Sequence, residues 1–192
     1  MNRYYTPTAE VRFSHLLSPK DWGDGSPREY SVELIMDAKS PEAKALKGTI
    51  DKVLNEAMPQ NGKRAANGMP LKPCADDASK VTLKIKTKEF TNPDGSVSAG
   101  PKVVDSKNQP WDGTLIGRGS KVRVAYTAKA WDKSGWGISL YLKAVMVVEL
   151  VRFSKDEEET GFEAVEGGYA VESPAFGSNG SEESAELVDE FA

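Results

Sequence analysis

Lysine occupies alternate positions of Val81 to Phe90 (VTLKIKTKEF): Lys84, Lys86 and Lys88, with the ring of Phe90 next in phase. Leu83 and Ile85 lie between them. Side chains of a strand alternate between its two faces, so this run predicts one apolar face and one cationic face. The pattern recurs further on. Lys121 and Arg123 alternate with Val122 and Val124 in KVRVAY (121–126), Lys129 and Trp131 follow, and Trp136, Tyr141 and Lys143 continue the series. A line of cations offsets the mutual repulsion of phosphates along a bound polyanion. A flat ring offers any nucleobase a platform, and stacking contributes about 1–3 kcal/mol per base. The interleaving of the two residue types therefore points to single-stranded nucleic acid held without regard to sequence. In that reading Lys84, Lys86, Lys88, Lys121, Arg123 and Lys143 meet phosphates. Phe90, Trp131, Trp136 and Tyr141 stack on bases, while Tyr126 and Trp111 are divided between stacking and core.

Other chemistry finds little to work with. Neither G-x-x-x-x-G-K-[ST] nor G-x-G-x-x-G occurs, and Gly117-Arg-Gly-Ser-Lys121 reads as a turn entering a strand. His15, the only histidine, has no nucleophile motif beside it and reads as a partly buried structural residue. Cys74 is the only cysteine, which excludes an intrachain disulfide, suits a reducing compartment and leaves no Cys/His zinc site. The adjacent Asp76 and Asp77 read as solvated loop acids. No catalytic residue, metal or cofactor is expected, so the chain reads as a non-enzyme. Two alternatives stay open: a structural or adaptor protein whose body and tail bind proteins, and a metal-dependent nuclease built on body carboxylates.

The elements that must carry these residues are mostly strands. Val11 to Leu17 and Tyr30 to Met36 alternate as strands, joined through the turn-rich Trp22 to Pro27. Ser40-Pro41 starts a helix, with Leu46, Ile50, Val53, Leu54 and Ala57 at helical spacing and Met58-Pro59 as its stop. Residues 59–80 look irregular, and a short strand is expected at Pro101 to Asp105. Lys121 to Tyr126 is a further strand, Trp131 to Gly137 a turn, and Ile138 to Phe153 a long strand, apolar on both faces toward its end and so expected to be central. One early helix among strands, without a repeating strand–helix unit, predicts a closed antiparallel barrel or a sandwich.

Charge divides the chain. Of its 192 residues, 1–155 hold all 25 Lys and Arg against 17 acids, a net charge of +8. Residues 156–192 hold the other 12 acids and no base. Rich in Gly, Ser and Glu, they read as a disordered acidic tail behind a basic domain. Such a tail can enter a groove that takes phosphates and, once displaced, offer Asp189, Glu190 and Phe191 to protein partners. No run of 18 uncharged apolar residues occurs, and the first residues lack the apolar stretch of a signal peptide.

Lys102-Val-Val-Asp105, the turn at Asn108-Gln-Pro110, Ile116 to Val124 (IGRGSKVRV) and Gly137 to Leu150 (GISLYLKAVMVVEL), with Tyr30 to Met36 ahead of the Ser-Pro helix start, together resemble the bacteriophage single-stranded-DNA-binding proteins. The likeness covers about residues 6–153. It implies an OB fold, a five-stranded antiparallel barrel with one helix between early strands. It also implies sequence-independent binding of single-stranded DNA in phage replication, recombination and repair within the host cytoplasm, with partner proteins recruited by the acidic tail. Tails of that family often end in acids and a terminal aromatic, whereas here Ala192 follows Phe191.

Overall fold

The computed structural model describes residues 2–152. Its elements run β1 (Arg3–Tyr5), β2 (Ala9–Lys20), β3 (Glu29–Asp37), α1 (Pro41–Ala57), β4 (Leu71–Pro73), β5 (Lys80–Lys88), β6 (Lys102–Val104), β7 (Lys121–Asp132) and β8 (Trp136–Glu149). The acidic segment 156–192, with its expected disorder and its Asp189, Glu190 and Phe191, lies outside the described residues.

Five strands close a ring. β2 pairs with β3, β3 with β5, β5 with β8, β8 with β7, and β7 returns to β2. The five-stranded barrel and its single helix between early strands are as expected. One junction is parallel, β5 against β8 through Lys86 and Tyr141, so the ring is antiparallel at four of its five seams. The three-residue strands β1, β4 and β6 extend β7, β5 and β8.

Alternation explains the core. Val11 from β2, Val32 and Leu34 from β3, Leu83 and Ile85 from β5, and Val122 and Val124 from β7 are all fully buried. Tyr126 joins them at 1% exposure, stacked on Tyr4 with centroids 5.8 Å apart. Among the described residues its hydroxyl has no hydrogen-bond partner, and burial pushes the phenol pKa up to about 12. Tyr126 is therefore core. Trp111 is half-buried against the core, its indole N–H donating to the Thr114 carbonyl at 2.8 Å.

The helix begins as its residues dictate. The Ser40 hydroxyl accepts from the Ala43 N–H at 3.1 Å, and Pro41 takes the first turn, where no donor is needed. Ala43, Leu46, Ile50 and Leu54 form one buried stripe, and the helix packs on β7 and β8.

β8 departs from simple alternation at Lys143. Ala125 pairs with Ala144 and Tyr126 with Leu142, so Lys143 is an extra residue in the ladder. Ile138, Leu140 and Leu142 point inward before this bulge, Val145 and Val147 after it. A bulge switches the inward phase, which is why the strand reads as apolar on both faces. Its central position is as expected: it touches β5, β6 and β7.

Candidate nucleic-acid interface

Neighbouring strands put their outward side chains on one shared surface only where their pleats are in register. β3 and β5 pair along their whole length, with Glu29 opposite Lys88, Ser31 opposite Lys86 and Glu33 opposite Lys84. The parallel seam then sets Tyr141 of β8 beside Lys86. The outward residues of β5 and β8 thereby merge into one face.

A cleft of about 580 Å³ runs over this face. Lys84, Lys86 and Lys88 line it with Tyr141 and Trp131, and Lys72 adds a fourth ammonium group. Glu33 is the one acid in its lining, and its carboxylate accepts from Arg12 at 2.7 Å. The loop residues Asn67, Met69 and Pro70 form a wall, tied to β8 by the Ile138 N–H donating to the Gly68 carbonyl at 2.8 Å.

A second depression of about 320 Å³ shares Thr87 and Lys88 with the first and is lined by Phe90 and Lys143. Tyr141 and Lys143, two residues apart on β8, are both exposed on the outer surface. Seven of the ten residues expected to meet DNA thus lie along one connected track: Lys84, Lys86, Lys88, Phe90, Trp131, Tyr141 and Lys143.

Trp131 is held in place by a glycine. It pairs with Gly137 across the β7–β8 hairpin, and a Cβ on Gly137 would come within 2.2 Å of the indole Cζ2. The ring lies directly on the glycine backbone, half-buried, with the cleft beside it.

Three of the ten lie elsewhere. Trp136 is half-buried against the core; its N–H donates to the Lys63 carbonyl at 2.8 Å, and its own carbonyl accepts from Ala65 at 2.9 Å. It anchors the 59–68 loop and lines neither depression. Lys121 sits ten residues before Trp131 on β7, which an extended strand makes about 33 Å, and its ammonium is 2.7 Å from Glu149. The shallow groove that it lines carries Glu10, Asp37 and Glu42. Arg123, paired with Met146, is exposed on β7 and also lines neither depression. The physical reason is closure: outward positions on the two ends of a barrel strand point to different regions of the surface.

Side chains that the sequence pattern did not single out complete the face. Trp22, half exposed, has Lys20 Nζ 4.2 Å and Lys84 Nζ 5.4 Å from its ring centroid. Its signal was an indole in a Gly-rich turn with no core role. Phe13, opposite Glu33, is 54% exposed with the Arg12 guanidinium 5.1 Å from its ring. Glu29 is buried to 5% exposure, yet its carboxylate lies 2.6 Å from Lys86 and 3.3 Å from Lys84. His15, half-buried on β2, is held below the usual imidazole range by burial first, then by Lys20 and Lys84, against a smaller opposing pull from Glu29.

No family model and no curated protein matches the sequence significantly. Solved structures do match. The single-stranded DNA-binding protein gp2.5 encoded by bacteriophage T7 superposes with a TM-score of 0.67 and 23% identity, over 89% of this chain and 99% of that one. The single-stranded DNA-binding protein of bacteriophage Enc34 in complex with ssDNA gives a TM-score of 0.60 and 15% identity, over 79% of this chain and 89% of that one. Its C-terminal truncation gives 0.61 and 17%, over 79% and 88%. The ring of β2, β3, β5, β8 and β7, with α1 between its second and third strands, is the OB fold that these phage proteins share with this chain.

Proposed function

We propose that this chain binds single-stranded DNA without sequence preference, along the track from the Lys84–Lys86–Lys88 cleft to Phe90 and Lys143. The observation that carries this reading is the convergence of four lysines with Trp131 and Tyr141 in one open cleft of an OB barrel. Lysines supply charge that is indifferent to base identity, and rings supply stacking that is equally indifferent. The chain's neighbours in fold are single-stranded DNA-binding proteins of bacteriophages, one of them in complex with ssDNA. In this reading residues 1–155 form the binding domain and 156–192 an acidic tail that modulates binding, with Asp189, Glu190 and Phe191 docking partner proteins. The protein acts as a non-enzymatic coat on DNA during phage replication, recombination and repair in the host cytoplasm, and needs no cofactor.

Titration of a labelled oligothymidylate and of a matched duplex, each over a salt series, tests the reading. Affinity for the single strand should exceed that for the duplex and fall with salt by about 0.7 logarithmic units per decade for each phosphate neutralised. Tryptophan emission should be quenched by the single strand alone. Equal binding of both forms, or binding indifferent to salt, overturns it; no binding of either leaves the adaptor reading in its place.

A further inference from the structure

Glu29 is a buried carboxylate on a face built to attract phosphates. It opens β3, where its register sets it directly across from Lys88 on β5 and Lys20 on β2. Its side chain is 6% exposed and reaches Lys86 at 2.6 Å and Lys84 at 3.3 Å, while those two lysines remain 51% and 41% exposed. It is therefore the inner partner of two cations whose outer sides are open. Among the described residues Lys88 and Lys72, on the same cleft, have no ion-pair partner.

A buried ionised carboxylate is costly unless paired, and the two ammonium groups supply that pairing. The reverse effect matters more for binding. Without Glu29, three lysines at alternate positions stand about 7 Å apart along one strand face and repel one another. With it, two of them are drawn together over a fixed point, and their charge is partly cancelled before any ligand arrives.

We infer that Glu29 is an internal stand-in for a phosphate: it positions Lys84 and Lys86 over the cleft and moderates both the affinity and the salt sensitivity of the interface. The inference rests on the single-stranded-DNA reading. A lysine whose charge Glu29 cancels neutralises little of a bound phosphate and so frees few cations from the DNA. Lys88 and Lys72 bring their full charge to the salt-sensitive attraction, while Lys84 and Lys86 together bring one net charge and exchange Glu29 for phosphate only at close contact. The protein then releases and re-engages the strand more readily than its lysine count implies.

The test compares the whole chain with its Glu29→Gln variant, which keeps the shape of the side chain and removes its charge. Labelled oligothymidylate is titrated over a salt series. The variant should bind about threefold to tenfold tighter at low salt, with a log–log slope steeper by roughly 0.7, because one carboxylate offsets one of the two lysine charges. Adding Lys86→Ala to the variant should remove much of that gain. A folded variant, with unchanged circular dichroism, that binds with the wild-type slope or more weakly overturns the inference. If the variant does not fold, Glu29→Met, which keeps the length of the side chain without its charge, takes its place. It should show the same steeper slope, and a folded Glu29→Met variant with the wild-type slope or weaker binding overturns the inference. Salt-sensitive single-strand binding by the wild type is the internal control: its absence removes the functional reading itself, whereas its presence with unaltered slopes removes only the role of Glu29.

Discussion

Gly137 shows how a residue with no side chain can set an interface. The Trp131 ring occupies the space a Cβ would take, so Gly137→Ala must lift the indole off β8 or turn it out of the cleft. If Trp131 stacks on a base, the variant should lose much of the same energy as Trp131→Ala, about 1–3 kcal/mol, or roughly five- to a hundredfold in affinity. The double variant should bind no more weakly than Trp131→Ala alone, because both changes remove one contact. Oligothymidylate titration of the three variants checks this. Additive losses would mean that Gly137 acts by some route other than the ring. Trp22 and Phe13 belong to the same scale: both rings are exposed and each has a cation over it. Their positions were invisible to strand alternation, since Trp22 sits in a turn and Phe13 follows a register shift in β2.

Elements separate stability from binding. None of α1 lines either depression of the track, so its Ser40 cap is a clean place to weaken the fold without touching the site. Ser40→Ala should cost about 1 kcal/mol, lowering Tm by about 2–4 °C in a domain of this size. Oligothymidylate affinity, measured well below Tm, should not change; a loss there would tie the helix to the cleft. The same scale shows what could be read without coordinates. β5 was legible because it is half-buried, with Leu83 and Ile85 inward and lysines outward. The helix was legible from its cap, its proline and its apolar stripe. β1 and β4 were not, because three residues carry no period and neither RYY nor LKP holds the paired valines that marked β6. The β7–β8 hairpin was only partly legible. Its strands continue to Asp132 and from Trp136, leaving a turn much shorter than Trp131 to Gly137. Alternation also says that a side chain faces outward but not toward which part of a closed ring. Lys121, Arg123 and Trp136 met the sequence criterion as well as Lys84 did, and pairing register alone sends them elsewhere.

At the scale of the whole molecule the charge division, on the proposed reading, sets up a competition. Residues 1–155 carry +8 and residues 156–192 carry −12 on one chain. On that reading the acids compete for the lysine face at an effective concentration that covalent linkage can raise to about the millimolar range. In this proposal DNA outcompetes the acids by adding ring stacking, for which a carboxylate has no equivalent. Deleting residues 156–192 should therefore tighten oligothymidylate binding at low salt. The difference should narrow as salt rises, because the screening length falls from about 10 Å at 0.1 M to 3 Å at 1 M, while the stacking share persists. Supplying the acidic segment as a separate peptide should weaken DNA binding by the truncated body, but only far above the concentration at which the tethered form acts. Unchanged or weaker DNA binding after truncation would remove the segment from the competition. Glu29 would then hold Lys84 and Lys86 in check on its own, from beneath the cleft.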